Sequence, residues 1–501
     1  MQLTSSGHRG VGASGQPAPS RAGAPGHRKT KTALAIALLV IAASTIFAST
    51  RPHYGSTARV LIQHKINSLD PLVETDYPGD RDKLSPLVFE TLTELDAQGH
   101  VHPRLANSWQ SEAAQRVWQF QLRLANFQDG TAVTSTIVVA SLKSVSPEWK
   151  FTVYSRQTFT IETPTPSPHL AELLSLPKFA VIKRLPNATL VGSGPYKLSQ
   201  WQPGEHALFT ANDDYWEGRP YPDAIEVQMG ASMREHLLER NLGHDHAALL
   251  GLDQVRALEQ TSQNVVLSRP AELLVILFLQ PDQAARNGKK AVDPHIREAI
   301  ADSINRSAIS NVLLQKKAAS TTALLPQWLT GYAFLFPDKP DPEQAHKLRT
   351  QAGAVLPVSL AYDFSDPVSR MVAERIAVDA HETGIAVQPV GDAHINTRTG
   401  RKASTADAVL LRLPLRALDA STALAAVADD LDLSPEMLAA ITSAGRADEL
   451  FAAERKTLED FRVVPVAHLS QALWLNNTVH NWQQLPNGDW NLDQLWVEGA
   501  R

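Results

Sequence analysis

The run Glu272-Leu-Leu-Val-Ile-Leu-Phe-Leu-Gln280 constrains this chain more than any other stretch. It is continuous and apolar, the pattern of a β-strand buried on both faces, and such a strand needs layers of structure above and below it. Helical patterns at 293–314, 341–353 and 366–384 alternate with strand patterns at 355–364, 385–391 and 406–414. The tail from 449 to 469 reads as ending in loops. Alternation of this kind predicts an α/β architecture with mixed sheets.

The first half has the same texture. "ARVLIQ" (58–63) reads as a strand leading into a loop, "NSLDPLVETDYPGD", and Ser85–Leu95 as a helix running into a short strand. In "VWQFQLRL" (117–124), Trp118, Phe120, Leu122 and Leu124 alternate with polar residues, which predicts a half-buried strand. Asp129-Gly130 turns the chain and Thr134 is placed to cap a helix from Ser135 to Lys143. Residues 195–201 and 206–211 predict a hairpin about "QPGE". Ala224–Met229 adds a strand, and "REHLLERNLG" a helix ending at Gly243.

At 501 residues the chain exceeds one ordinary core, so two or three domains are expected. Residues 1–31 form a basic leader without acids, too poor in apolar side chains to fold. Residues 32–50, "TALAIALLVIAASTIFAST", carry no charge, and read as an export signal or an uncleaved anchor. The leader holds five of the 47 basic residues and none of the 52 acidic ones. The remainder is therefore acidic, at 42 against 52, which argues against nucleic acid as a partner. There is no cysteine, so thiol catalysis and disulfides are excluded.

"GSGPYKL" (192–198) has two glycines round a serine, but it is no nucleophile turn, because Gly192 and Gly194 flank Ser193 directly. Nor is it a phosphate loop, because Pro195 and Tyr196 lead into a strand where a helix is required. His100/His102 and His244/His246 have metal-ligand spacing without a third ligand. The pairs Asp213/Asp214 and Asp429/Asp430 read as surface. No catalytic constellation emerges, and neither a cofactor nor a metal ion is called for.

Several separated stretches then agree. "SLDPL", "FETLTELDAQGHVHPRLANSWQ" and "VWQFQLRLANFQDGTAVTS" are followed in order by "GSGPYKLSQWQPGEHALFTANDDYWEGRPYPDAIEV", "IREAIADSINRSAI" and "DPEQAHKLRTQAG". In this the chain resembles the family 5 extracellular solute-binding proteins, the peptide-, nickel- and oligosaccharide-binding subunits of ABC importers. The resemblance implies a two-lobed periplasmic-binding-protein fold (type II, mixed sheets) with a hinge and a ligand cleft between the lobes. Lobe one would hold residues 51–270 with a C-terminal return at 481–501, and lobe two residues 271–480.

It also implies a non-enzymatic, monomeric binder that closes on a peptide-like solute and hands it to ABC permease subunits. The protein would act in the periplasm or otherwise outside the cytoplasm, touching the membrane through its N-terminal segment. Glu74 and Tyr77 lie where relatives put cleft residues. Asp419 stands where an acid meets a ligand ammonium, and Arg412 or Arg416 would meet a carboxylate. Pro414 stands near the place of a family tryptophan, and several segments are short. An alternative therefore stays open: a degenerate, membrane-anchored binding fold serving as a sensor or structural partner.

Overall fold

The apolar run forms the strand Glu272–Phe278, in which every residue from Leu273 onward is buried. The computed structural model describes residues 52–186, 189–230, 245–252, 254–255, 264–353 and 356–498. The leader, the apolar segment 32–50, the helix expected at 234–243 and His244 lie outside these residues. Glu272–Phe278 sits inside a six-stranded mixed sheet, ordered 318–320, 463–469, 272–278, 408–413, 358–363, 387–392. It runs antiparallel to both neighbours, whereas Val358–Asp363 is parallel to Ala408–Leu413 and to Val387–Asp392.

The pleat explains why the run had to be apolar throughout. Leu274, Ile276 and Phe278 meet Ile300, Val372 and Ile376 from the helices Pro294–Ser303 and Pro367–Glu382. Leu273, Val275 and Leu277 belong to a second cluster that includes Leu424 and Val427 of helix Ala420–Asp430. Three helices of this lobe begin with Asp-Pro. Asp293, Asp341 and Asp366 each accept a backbone N–H of the first turn, and the following proline sits at the first helical position, where no N–H is needed.

The other lobe is built on a seven-stranded sheet, ordered 196–202, 206–211, 224–229, 57–62, 247–250, 472–475, 265–267. Thr57–Ile62 lies at its centre, parallel to Ala224–Met229 and Ala247–Leu250. The hairpin Tyr196–Gln202/His206–Ala211 closes one edge. A separate antiparallel sheet, ordered 106–111, 117–122, 158–162, 150–153, contains the alternating strand, with Trp118, Phe120 and Leu122 buried. The expected two-lobed α/β architecture is therefore present.

Several details depart from the sequence reading. Leu124 is 85% exposed, because the strand stops at Leu122. The helix placed at Ser85 starts at Pro78, where the proline presets the first turn, and tightens to 3-10 geometry at Ser85–Leu87. Thr134 takes the cap position without a side-chain capping bond. The helical pattern at 293–314 is interrupted, with Ile304 extended and Asn305 capping a new start by accepting the Ala308 N–H. The tail contains the helix Ala447–Leu458 and the strand Val463–Leu469. The chain re-enters the seven-stranded sheet at Ala472–Leu475, ahead of the 481 expected for that return. "VVPVAHLSQALWL" threads both sheets as one extended run, with only Ser470 and Gln471 between the strands and no turn residue to mark the crossing.

"GSGPYKL" has a structural role, set by close approach. A Cβ on Gly192 would lie 1.8 Å from the Val88 carbonyl oxygen, and one on Gly194 2.8 Å from that of Leu87. Gly194 N–H donates to Val88 O (2.9 Å), and Ser193 Oγ donates to Glu90 Oε2 (2.7 Å). Gly192→Ala is expected to cost about 3 kcal/mol, since the obstacle is backbone. Gly445→Ala, which meets nothing within 4 Å at an ordinary φ, should cost little. Urea denaturation of both variants checks this, and equal stabilities would contradict it.

Candidate functional site

A single segment of lobe one, residues 74–82, makes most of the polar contacts to lobe two. Glu74 Oε2 accepts the Thr399 N–H (3.1 Å), and Asp76 Oδ2 lies 3.3 Å from His394 Nδ1. Tyr77 Oη donates to Asp363 Oδ2 (3.0 Å) and is hydrogen-bonded to Ser365 Oγ. Gly79 packs on Pro414, whose Cβ would lie 3.2 Å from an added Cβ. Asp82 Oδ2 stands 3.3 Å from Arg416 Nε. The sequence explains this shape: Pro78-Gly79 turns a polar loop into a short helix, so successive side chains face the opposite lobe.

Behind this lip a cavity of about 400 Å³ is walled by both lobes. Lobe one contributes His64, Lys65 and Tyr77, and lobe two contributes Glu272, Asp366 and Arg412. A small extension of about 40 Å³ runs under Tyr77 toward Asp76, Asp363 and Asn396.

Among the described residues, every strong charge here except Lys65 is held by an opposite one. Arg412 Nη1 donates to Asp366 Oδ2 (2.9 Å), and Nη2 to Glu272 Oε2. Burial works against the guanidinium, but Asp366 and Glu272 outweigh it and raise its pKa. Asp366 also caps its own helix, and despite burial its pKa is lowered, chiefly by Arg412. His64 Nδ1 lies 2.6 Å from Asp80 Oδ2, and its ring stacks on Tyr77 with centroids 3.8 Å apart. Burial lowers the His64 pKa, yet Asp80 prevails and the net shift is upward. Burial pushes Asp76 up, with Asp363 and Asp392 adding repulsion that His394 only partly offsets.

Tyr77 and Arg412 thus line one cavity, and Glu74 stands at its lip on the Thr399 N–H. Asp419 is elsewhere: it caps helix Ala420–Asp430 by accepting the Thr422 N–H (2.9 Å), 3.9 Å from His169. Arg416 bridges Asp82 and Asp430 outside the cavity. Asp429 pairs with Lys178 (2.8 Å) and Arg398, so the pair Asp429/Asp430 read as surface is an ion-pair site. His100 and His102 both sit at Asp96, and among the described residues no group of His, Cys, Asp or Glu is arranged to hold a metal ion.

The sequence reading missed His64, Asp80, Glu272 and Asp366. Asp366 is concealed by its Asp-Pro capping signature, and Glu272 by the apolar run it begins. His64 and Asp80 are far apart in local pattern, one after a strand and one inside a loop. Charged residues at strand ends beside a Pro-Gly loop were the available signal.

A family model for "Bacterial extracellular solute-binding proteins, family 5 Middle" matches residues 100–431. The chain belongs to this family. Its members act outside the cytoplasm, as carriers of solutes without catalysis. The chain is 23% identical over 351 residues to a nickel-binding periplasmic protein of Escherichia coli, covering 61% of this chain and 66% of that protein. It is 26% identical over 290 residues to a probable D,D-dipeptide-binding periplasmic protein of the same organism, covering 52% and 55%. The matches thus span under two thirds of each relative's length. The fold is similar to that of NikA from Staphylococcus aureus, crystallised with Ni(L-His)2, at a TM-score of 0.72 and 19% identity, covering 87% of this chain and 98% of that one.

The buried His64–Asp80 pair sets a pH dependence. A raised imidazole pKa contributes stability that is complete below the ordinary value of about 6.5 and is lost as pH rises through the folded value. His64→Gln should therefore cost about 3 kcal/mol at pH 5.5, with the gap to the parent narrowing above neutrality. Chemical denaturation at pH 5.5 and 9 checks this, and a constant gap would contradict an ionised pair.

Proposed function

We propose that this protein is the extracytoplasmic solute-binding subunit of an ABC importer, and that it takes a small peptide-like solute by closing its two lobes. The observation that carries this is the cavity of about 400 Å³ walled by charged side chains from both lobes. A solute seated there gains its full set of contacts only in the closed form, so binding and closure are one equilibrium. The volume lies at the low end for ligand pockets, which favours a short solute over an extended one. The named ligands of the relatives, a D,D-dipeptide and nickel, are also small.

In this reading Tyr77 presents its ring and hydroxyl to the solute. Arg412 meets a solute carboxylate by exchanging one of its two acidic partners, and Glu74 secures the lip. Asp419 has a helix-capping role, and a solute ammonium finds its counter-charge at Asp366 or Glu272. Permease subunits dock on the closed form, the protein acts as a monomer, and the N-terminal segment either exports the chain or tethers it to the membrane. A second reading, a tethered sensor that has lost transport binding, draws on the double pairing of Arg412, since a carboxylate must displace a residue already in place.

Thermal denaturation with pools of di- and tripeptides tests the proposal. A bound solute at one hundred times its Kd should stabilise the protein by about 2.7 kcal/mol. Arg412→Met should weaken binding at least tenfold. No shift with any peptide, sugar or nickel-chelate pool would count against a transport role.

A further inference from the structure

In the transport proposal both termini of a peptide-like solute are met by lobe two, the carboxylate at Arg412 and the ammonium at Asp366 or Glu272. Lobe one then touches the solute through Tyr77, since His64 and Asp80 hold each other. One charged residue of the cavity wall has no role in that scheme. Lys65, on lobe one, is exposed, and among the described residues its ammonium has neither a carboxylate within 4 Å nor a hydrogen-bond partner.

The fold builds this position. Lys65 follows Thr57–Ile62, the central strand of the seven-stranded sheet, whose parallel neighbours are Ala224–Met229 and Ala247–Leu250. The cavity lies at the carboxyl ends of all three strands: Gln63–Lys65 after the first, Gly230 after the second, and Leu250 and Gly251 at the third line it. The carboxyl ends of parallel strands are where open α/β sheets leave a crevice for ligands.

The lysine stem is held as well. Gly230 N–H donates to Ile62 O (3.0 Å) and Gly204 N–H to Ile66 O (2.9 Å), so both glycines close on the segment that carries Lys65. A Cβ added to Gly230 would lie 2.9 Å from Lys65 Cε, and one added to Gly204 3.5 Å from Lys65 Cβ. Both glycines have positive φ, where other residues are strained, and the space they leave takes the aliphatic stem. Gly230 lines the cavity beside Lys65, so the stem delivers its ammonium to the wall.

The wall charges are unequal between the lobes. Arg412 between Asp366 and Glu272 leaves lobe two with a surplus negative charge, whereas Lys65 leaves lobe one with a surplus positive charge. A carboxylate reaching Arg412 must displace an acid already in place. One reaching Lys65 displaces no residue.

We propose, resting on the transport reading, that Lys65 is a specificity-determining residue of the cleft and that the solute is an acidic dipeptide or a compact analogue, whose additional carboxylate Lys65 meets. A lysine ammonium is a compact point charge on a flexible stem, suited to a mobile side-chain carboxylate. With the termini on lobe two and the side-chain acid on lobe one, the solute gains both sets of contacts only in the closed form.

Calorimetric titration of the full chain with two isosteric pairs, Ala-Glu against Ala-Gln and Glu-Ala against Gln-Ala, tests the assignment. The acidic member of at least one pair should bind roughly tenfold tighter than its amide, the scale of one hydrogen bond to a charged group. Lys65→Met, which keeps a stem over Gly204 and Gly230, should erase that preference, and Lys65→Arg, which keeps the charge, should retain it. Equal affinities within both pairs, or a preference that survives Lys65→Met, would overturn the role of Lys65 and leave the transport reading standing. Failure of all four dipeptides to bind would overturn the acidic-dipeptide class; the transport reading falls only if no peptide, sugar or nickel-chelate pool stabilises the protein.

Discussion

Arg412 lies between Asp366 and Glu272 at the inner wall of the cleft, and the design of the site depends on that arrangement. A guanidinium cannot be taken out of water unpaired, and each carboxylate beside it needs the same compensation. Each partner is tied to the scaffold: Glu272 opens the central strand of its sheet, Asp366 caps a sixteen-residue helix, and Arg412 stands near the end of the neighbouring strand. Across the cleft, His64 and Asp80 form a second buried pair, with the Tyr77 ring stacked on the imidazole. The cleft is lined with charges set in low dielectric and already oriented. A charged solute has to exchange with these partners, whereas an apolar one leaves the pairs as they are and gains no contact from them.

The lip 74–82 ties this electrostatic interior to the opposite lobe. Its contacts to lobe two are a few hydrogen bonds and ion pairs: Glu74 on Thr399, Asp76 on His394, Tyr77 on Asp363 and Ser365, and Asp82 on Arg416. The outer ones, at Glu74 and Asp76, are partly exposed and individually weak, whereas Asp82–Arg416 is buried. Gly79 against Pro414 adds a close fit without a hydrogen bond, at the place where relatives were expected to carry a tryptophan.

Much of the fold was legible because its elements carry strong local signals. Continuous burial marked Glu272–Phe278, period-two alternation marked Val117–Leu122, and Asp-Pro caps marked three helices. The site was less legible, for a physical reason. Tyr77 and Arg412 could be named from their positions, but their partners are drawn from sequence separations of hundreds of residues, and only the folded chain brings them together. Asp419, expected to meet a solute ammonium, caps helix Ala420–Asp430 and stands outside the cleft cavity. The glycines of "GSGPYKL" serve close backbone approach to Leu87 and Val88, which no local pattern reveals.

Closure of the lobes on a solute is the central claim, and a distance measurement tests it most directly. The chain contains no cysteine, so Gln200→Cys and Glu343→Cys give unique spin-label sites, both exposed, one on each lobe. Pulsed electron-electron double resonance should show a broad distance distribution for the free protein, collapsing to a single shorter distance at saturating solute. A distribution unchanged by a solute that calorimetry shows to be bound would contradict binding by closure.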